Sequence, residues 1–196
     1  MRLFRSIPAA MVLLASQVAL AQAWVEYVNR EEFFSVNIPG QPVISETTHA
    51  TATGEALPAK LFSVQNGQSR YEVTVVKFPR AEGLDVKAAI AHAAAGFRTS
   101  GGTITYDELG STDGIEGHMQ QLTNADKSRT FISMNLHLDR LYILEATVPA
   151  GAIVPGLFQQ SLSVLDQKGE RIRYQTGPDG KKYRVIPFTG GQPAPQ

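Results

Sequence analysis

The chain has 196 residues, 18 basic against 18 acidic, and no cysteine. That balance lacks the basic excess of a nucleic-acid binder, and the missing cysteine excludes a disulfide framework, thiolate chemistry and a lipoprotein anchor. The length suits one domain whose core is large enough to stand without disulfides.

At the N-terminus, Arg2 and Arg5 precede the apolar run AAMVLLASQVAL, and Ala21-Gln22-Ala23 follows it. A basic start, a short apolar run and a small-x-small end predict a secretory signal peptide over 1–23, cleaved before Trp24. The run is too short to persist as a spanning helix, and no later run predicts a membrane span. The expected product is a soluble bacterial protein of the periplasm or the medium. Charge divides the remainder. Residues 168–196 carry six basic residues against two acidic ones, a net of +4, which leaves 24–167 at −6.

After the leader comes a strand-like segment, and Phe34, Val36 and Ile38 then alternate with polar residues as in a strand. The turn PGQP leads into VISETTHA. In KLFSVQNGQSRYEVTVV, Asn66-Gly67 predicts a hairpin with a type I′ turn. Pairing Gln65 with Gln68 sets Phe62 opposite Tyr71, with Val64, Val73 and Val75 on the same face. Asp85 reads as the N-cap of a helix over VKAAIAHAAAGF. Its apolar stripe of Val86, Ile90, Ala93 and Phe97 suits a sheet surface, and His92 falls off that stripe toward solvent. Paired glycines end the helix before the strand TITYDELG.

The next segment, GIEGHMQQLTNADKSRTFISMNLH, holds two of the four histidines. With a turn over Asn124–Lys127 and Thr123 opposite Ser128, His118 faces Ser133, Glu116 faces Asn135 and Gly114 faces His137. Glu116, His118 and His137 then share one side of the hairpin, the ligand types of a zinc or copper site. A half-exposed antiparallel strand puts polar residues on its wet face anyway, so alternation alone accounts for the trio. Pairing Leu138 with Leu141 drops Tyr142, Leu144 and Val148 onto that same side, which requires a shifted register or a sheet covered on both faces. LYILEATV is a further strand. Beyond Pro155, Phe158, Leu162 and Leu165 return to helical spacing and predict a short helix.

The last segment, ERIRYQTGPDGKKYRVIP, sets a Gly-Pro-Asp-Gly turn between two basic arms, and GGQPAPQ is expected to be disordered. The basic hairpin is expected to have its charge answered by the acidic body; the sharper reading is an arm for an anionic surface. Enzymatic motifs are absent: no nucleophile elbow, P-loop, dinucleotide fingerprint or H-E-x-x-H helix. Asp107 and Glu108 are adjacent in a strand and point to opposite faces, so they do not form an acid pair.

The order FFSVNIPGQPVIS, LFSV…YEVTVVKFP, one helix, hairpins, LYILEATVP and FQQSLSVLD resembles the PsbP-like superfamily over about residues 33–166. That group includes the extrinsic PsbP proteins of photosystem II and bacterial envelope proteins similar to DcrB. The resemblance implies an α+β fold, an antiparallel β-sheet flanked by helices on both sides in an α/β/α sandwich. It implies assembly factors, extrinsic subunits and binding proteins rather than one reaction, and it carries no site residue onto this chain. The absent lipobox cysteine departs from many envelope relatives. The expectation is an exported non-enzymatic protein that binds a protein or envelope partner, with no cofactor and no nucleic acid. Metal binding by Glu116, His118 and His137 is the alternative.

Overall fold

The computed structural model describes residues 23–79 and 85–185. The leader expected over 1–23 lies outside these residues, apart from Ala23, and so does the terminal GGQPAPQ stretch.

Seven antiparallel strands form the main sheet: β3 (Val43–Ala50), β4 (Ala56–Asn66), β5 (Ser69–Lys77), β6 (Thr103–Thr112), β7 (Ile115–Thr123), β8 (Arg129–His137) and β9 (Arg140–Val148). Their spatial order is β3-β4-β5-β9-β8-β7-β6. Central strand β9 is buried on both faces, which explains the near-continuous apolar run LYIL. A second, three-stranded antiparallel sheet joins β1 (Trp24–Asn29), β2 (Phe34–Pro39) and β10 (Ser163–Val164). It packs across one face of the large sheet. Phe34, Val36 and Ile38 are buried there with Phe62, Tyr71, Tyr142 and Leu144, and the Phe34 and Phe62 rings meet edge to face at 5.1 Å.

Helix α1 (Val86–Arg98) lies on the opposite face. Asp85 caps it, accepting from the Ala88 backbone N–H at 3.0 Å. Ile90, Ala93 and Ala94 are buried against Leu122, Ile132, Met134 and Leu141. Phe97 and Val86 are only partly buried. His92 is half-buried too, its Nε2 2.9 Å from the carbonyl oxygen of Ala50.

The expected sandwich with helices on both sides is therefore corrected. The fold is mostly β, with one long helix on one face and a second sheet on the other. The cause lies after Pro155. The spacing of Phe158, Leu162 and Leu165 imitates a helix, but α2 (Gly156–Gln159) lasts a single turn. Ser163 and Val164 then extend to pair with Ser35 and Phe34 of β2. Strand pairing satisfies the same apolar residues by burying them against the aromatic layer.

Turn chemistry shifts three registers. Asn66 pairs with Ser69, not Gln65 with Gln68, so Phe62 meets Val73 and Val64 meets Tyr71. Gly67, with φ +58°, occupies the first central position and Gln68 is not left-handed, the pattern of a type II′ turn rather than I′. The move is by an even number, so each side chain keeps its expected face. Between β8 and β9, His137 pairs with Arg140 across Leu138-Asp139, again an even shift. The β7–β8 turn differs. Asn124 donates its N–H to the Ser128 carbonyl, closing a three-residue loop with Lys127 at φ +70°. Thr123 consequently faces Arg129. That is a shift of one, and it moves one strand's residues to the other face relative to its partner.

The C-terminal arms form the expected hairpin, β11 (Tyr174–Thr176) and β12 (Lys182–Arg184), around Gly177-Pro178-Asp179-Gly180. Before it, Ile172 is buried in the aromatic layer and donates its N–H to Val164.

Candidate functional site

The one-residue shift separates the trio that the sequence places together. His118 now faces Met134 and lies on the helix side, whereas His137 shares the other face with Asn135. The three residues have three different partners. Glu116 is 3.3 Å from Lys182, His118 is 2.5 Å from Asp107, and His137 Nε2 is 3.1 Å from the Tyr174 hydroxyl. Among the described residues no group of three His, Cys, Asp or Glu side chains converges as a metal site would need.

His118 belongs to a cluster that alternation did not reveal. It is 8% exposed. Strands β6 and β7 run side by side with Asp107 opposite Gln120 and Leu109 opposite His118, so Asp107, His118 and Gln120 all face α1. From the last turn of α1, Arg98 reaches Asp107 with two hydrogen bonds, Nε to Oδ2 at 2.6 Å and Nη2 to Oδ1 at 2.9 Å. This two-pronged contact with Arg98, with added hydrogen bonds from His118 and Gln120, holds the Asp107 carboxyl well below the usual carboxylate range. Asp107 is therefore an acceptor only, and His118 Nε2 carries the hydrogen between them. Gln120 Nε2 donates to Asp107 and to the Ala94 carbonyl, both at 3.2 Å.

Beside this cluster a cleft of about 320 Å³ opens between α1 and the β6–β7 edge. Ile90, Ala91 and Leu109 supply its apolar walls, and His118, Arg98 and Lys87 are its basic lining groups. Leu109 is 82% exposed, because α1 rests over β7 and β8 and leaves β6 uncovered. Glu116, the remaining charged group there, faces Lys182 of β12.

His137 lines a second, smaller cleft of about 240 Å³ where the β8–β9 turn meets the C-terminal segment. Burial, aided by the charge of Arg184, lowers the pKa of its imidazole. Arg140 closes one side, 3.3 Å from Glu32, 2.9 Å from Asp139 and 4.8 Å above the Phe33 ring. The basic arms are paired as well. Arg171 and Arg173 face Asp113, and Arg184 faces Asp166.

At the end of the sandwich where Trp24 begins β1, the loop after β9 and the single turn of α2 that closes it expose Ile153, Val154 and Leu157. Its base is fixed. The Ala152 carbonyl accepts from Arg129, Phe158 is fully buried, and Gln159 Nε2 donates to Ile132 at 2.9 Å. Trp24 packs on Tyr71 at 5.4 Å, and Tyr71 on Phe158 at 5.3 Å, which ties the start of the fold to this loop.

An antiparallel sheet carrying one long helix on a single face, closed on the other by a small sheet, defines a PsbP-like fold. It is similar to the solution structure of cyanobacterial PsbP (CyanoP) from Synechocystis sp. PCC 6803, with a TM-score of 0.50. The match covers 82% of this chain and 98% of that one at 10% sequence identity, which establishes the fold alone. No family model and no curated protein matches the chain. Among the described residues no helix is long and apolar enough to cross a membrane.

Proposed function

We propose that this is an exported protein that works by binding a component of the cell envelope rather than by catalysing a reaction. The observation that carries the reading is the anchored apolar loop. Ile153 is 92% exposed, Leu157 56% and Val154 50%, three aliphatic side chains within five residues. Scattered exposed aliphatics are ordinary, but a cluster held up by a hydrogen-bonded base has the form of a contact surface. The PsbP-like fold is compatible with an envelope role. Metal binding through Glu116, His118 and His137 gains no support from their placement on opposite faces of the sheet.

The test joins address and contact. Mass spectrometry of the protein from periplasmic extract should give a chain starting at Trp24. In the same extract, Ile153→Asp with Leu157→Asp should lose the cross-linked partners of the wild type. The melting temperature should hold, since exposed substitutions cost within about 0.5 kcal/mol. An unprocessed cytoplasmic chain, or identical cross-links in the double variant, would end this reading.

A further inference from the structure

The imidazole of His118 is mostly buried, yet its ring lines an apolar cleft with one nitrogen held and the other left free to meet a ligand. Asp107 satisfies Nε2 of His118, and the second ring nitrogen has no hydrogen-bond partner among the described residues. The ring is one of the cleft's lining groups. The charges around it are unequal. Arg98 of α1 is matched by Asp107 of β6, and Glu116 of β7 is matched by Lys182 of β12. Lys87, in the first turn of α1, has no acidic partner among the described residues. The cleft therefore combines aliphatic walls, one oriented imidazole and one cation without an acidic partner among the described residues. Its volume of about 320 Å³ falls within the range of small-molecule sites, roughly 300–1,000 Å³.

We propose that the cleft between α1 and the β6–β7 edge binds a small amphipathic carboxylate. Its apolar body lies against Ile90, Ala91 and Leu109, and its carboxylate sits between Lys87 and His118. In the complex both ring nitrogens carry hydrogens, one donated to Asp107 and the other to the ligand. Arg98 keeps Asp107 ionised behind the ring, so the imidazolium is flanked by two carboxylates and neutralised. A neutral alcohol of equal length could donate to the ring but would leave Lys87 unanswered. That difference makes the ligand class testable. The inference stands on a different surface from the exposed loop and does not depend on it.

The probe is octanoate, set against 1-octanol, with the processed full-length protein in calorimetry and thermal melting. Octanoate should bind one to one and raise the melting temperature, and 1-octanol should bind about tenfold more weakly. Ala91→Phe puts a ring into the cleft from an exposed helix position and leaves the His118–Asp107 pair itself unsubstituted. It should abolish octanoate binding with the unliganded melting temperature unchanged. Lys87→Gln should weaken octanoate about tenfold and leave 1-octanol unaffected. His118 is buried and its variants risk unfolding, so imidazole NMR shifts in the wild type report its contact instead. No octanoate binding, undiminished binding in Ala91→Phe, or equal binding of the alcohol would each overturn the proposal.

Discussion

The two faces of the large sheet are closed by different means. On one, β1, β2 and β10 lay a second sheet across it, and two sets of rings, Phe34 with Phe62 and Tyr142, and Tyr71 with Phe158, are buried in one core with the aliphatic residues between them. On the other, α1 is the cover. A helix is about 10 Å wide, whereas seven strands about 4.8 Å apart reach roughly 29 Å. One helix cannot cover that width. The uncovered margin at β6 is where the molecule keeps an exposed leucine, an apolar cleft and the ionic cluster of Arg98, Asp107 and His118. The aromatic cover is the fuller of the two, although Ile44 of β3 stays 53% exposed on that side, and the thinner helical cover leaves room for a site.

The largest expected effect comes from breaking the fuller cover. Phe34 is fully buried and touches Tyr27, Phe62 and Tyr142. Phe34→Ala should cost about 3–5 kcal/mol in urea unfolding. On the helix face, Phe97 is only partly buried, and Phe97→Ala should cost about 1–2 kcal/mol, in line with the smaller area it removes from water. Equal costs would mean that the helix seals its face as well as the strands seal theirs, and the comparison would fail.

Much of this was legible from spacing alone. The Asp85 cap, the helix face around Ile90 and Ala93, and the common face of Phe62, Val64, Tyr71, Val73 and Val75 all follow from period and cap chemistry. The requirement that Tyr142 and Leu144 have cover is met by the small sheet, and Val148 is buried as well. The site was not legible. Whether His118 shares a face with His137 depends on whether the loop after Asn124 holds three residues or four. Lys127 in the left-handed region decides it, and nothing about a lysine announces that conformation. The tie of Arg98 to Asp107 crosses from helix to edge strand, a tertiary contact with no local signature. The second helix failed for a related reason, since a 3- or 4-residue apolar spacing is also met by a turn followed by a strand.

The second test addresses the incomplete cover. Asp107→Asn removes the charge shared by Arg98 and His118 and should cost about 1–3 kcal/mol near neutral pH. Because folding lowers the Asp107 pKa, its contribution is present above the ordinary carboxylate value, about 3.9, and is lost as pH falls through the folded value. The stability gap between wild type and Asp107→Asn should therefore narrow when urea titrations are repeated in acid. A gap that stays constant below about pH 4 would show that the cluster contributes through shape rather than charge.

The smallest expected effect concerns His137, which is half-buried at the edge of the strand-covered face, beside the smaller cleft. Burial, with Arg184 nearby, lowers its folded pKa, so the neutral ring is the form the fold accepts. The sign follows from linkage. The unfolded chain takes up the proton more readily, so this stability is present above the ordinary histidine value of about 6.5 and is lost as pH falls below it. His137→Gln keeps a polar group near the Tyr174 hydroxyl and should cost only about 0.5–1.5 kcal/mol at neutral pH. It should also remove part of the wild-type loss of stability between about pH 7.5 and pH 5.5. Part of that loss should remain, because burial and the neighbouring His92 lower the pKa of His49 in the same direction. An identical acid loss in His137→Gln would mean that the imidazole meets water freely. The strand-covered face would then be open at this end, and its contrast with the helix-covered face would weaken.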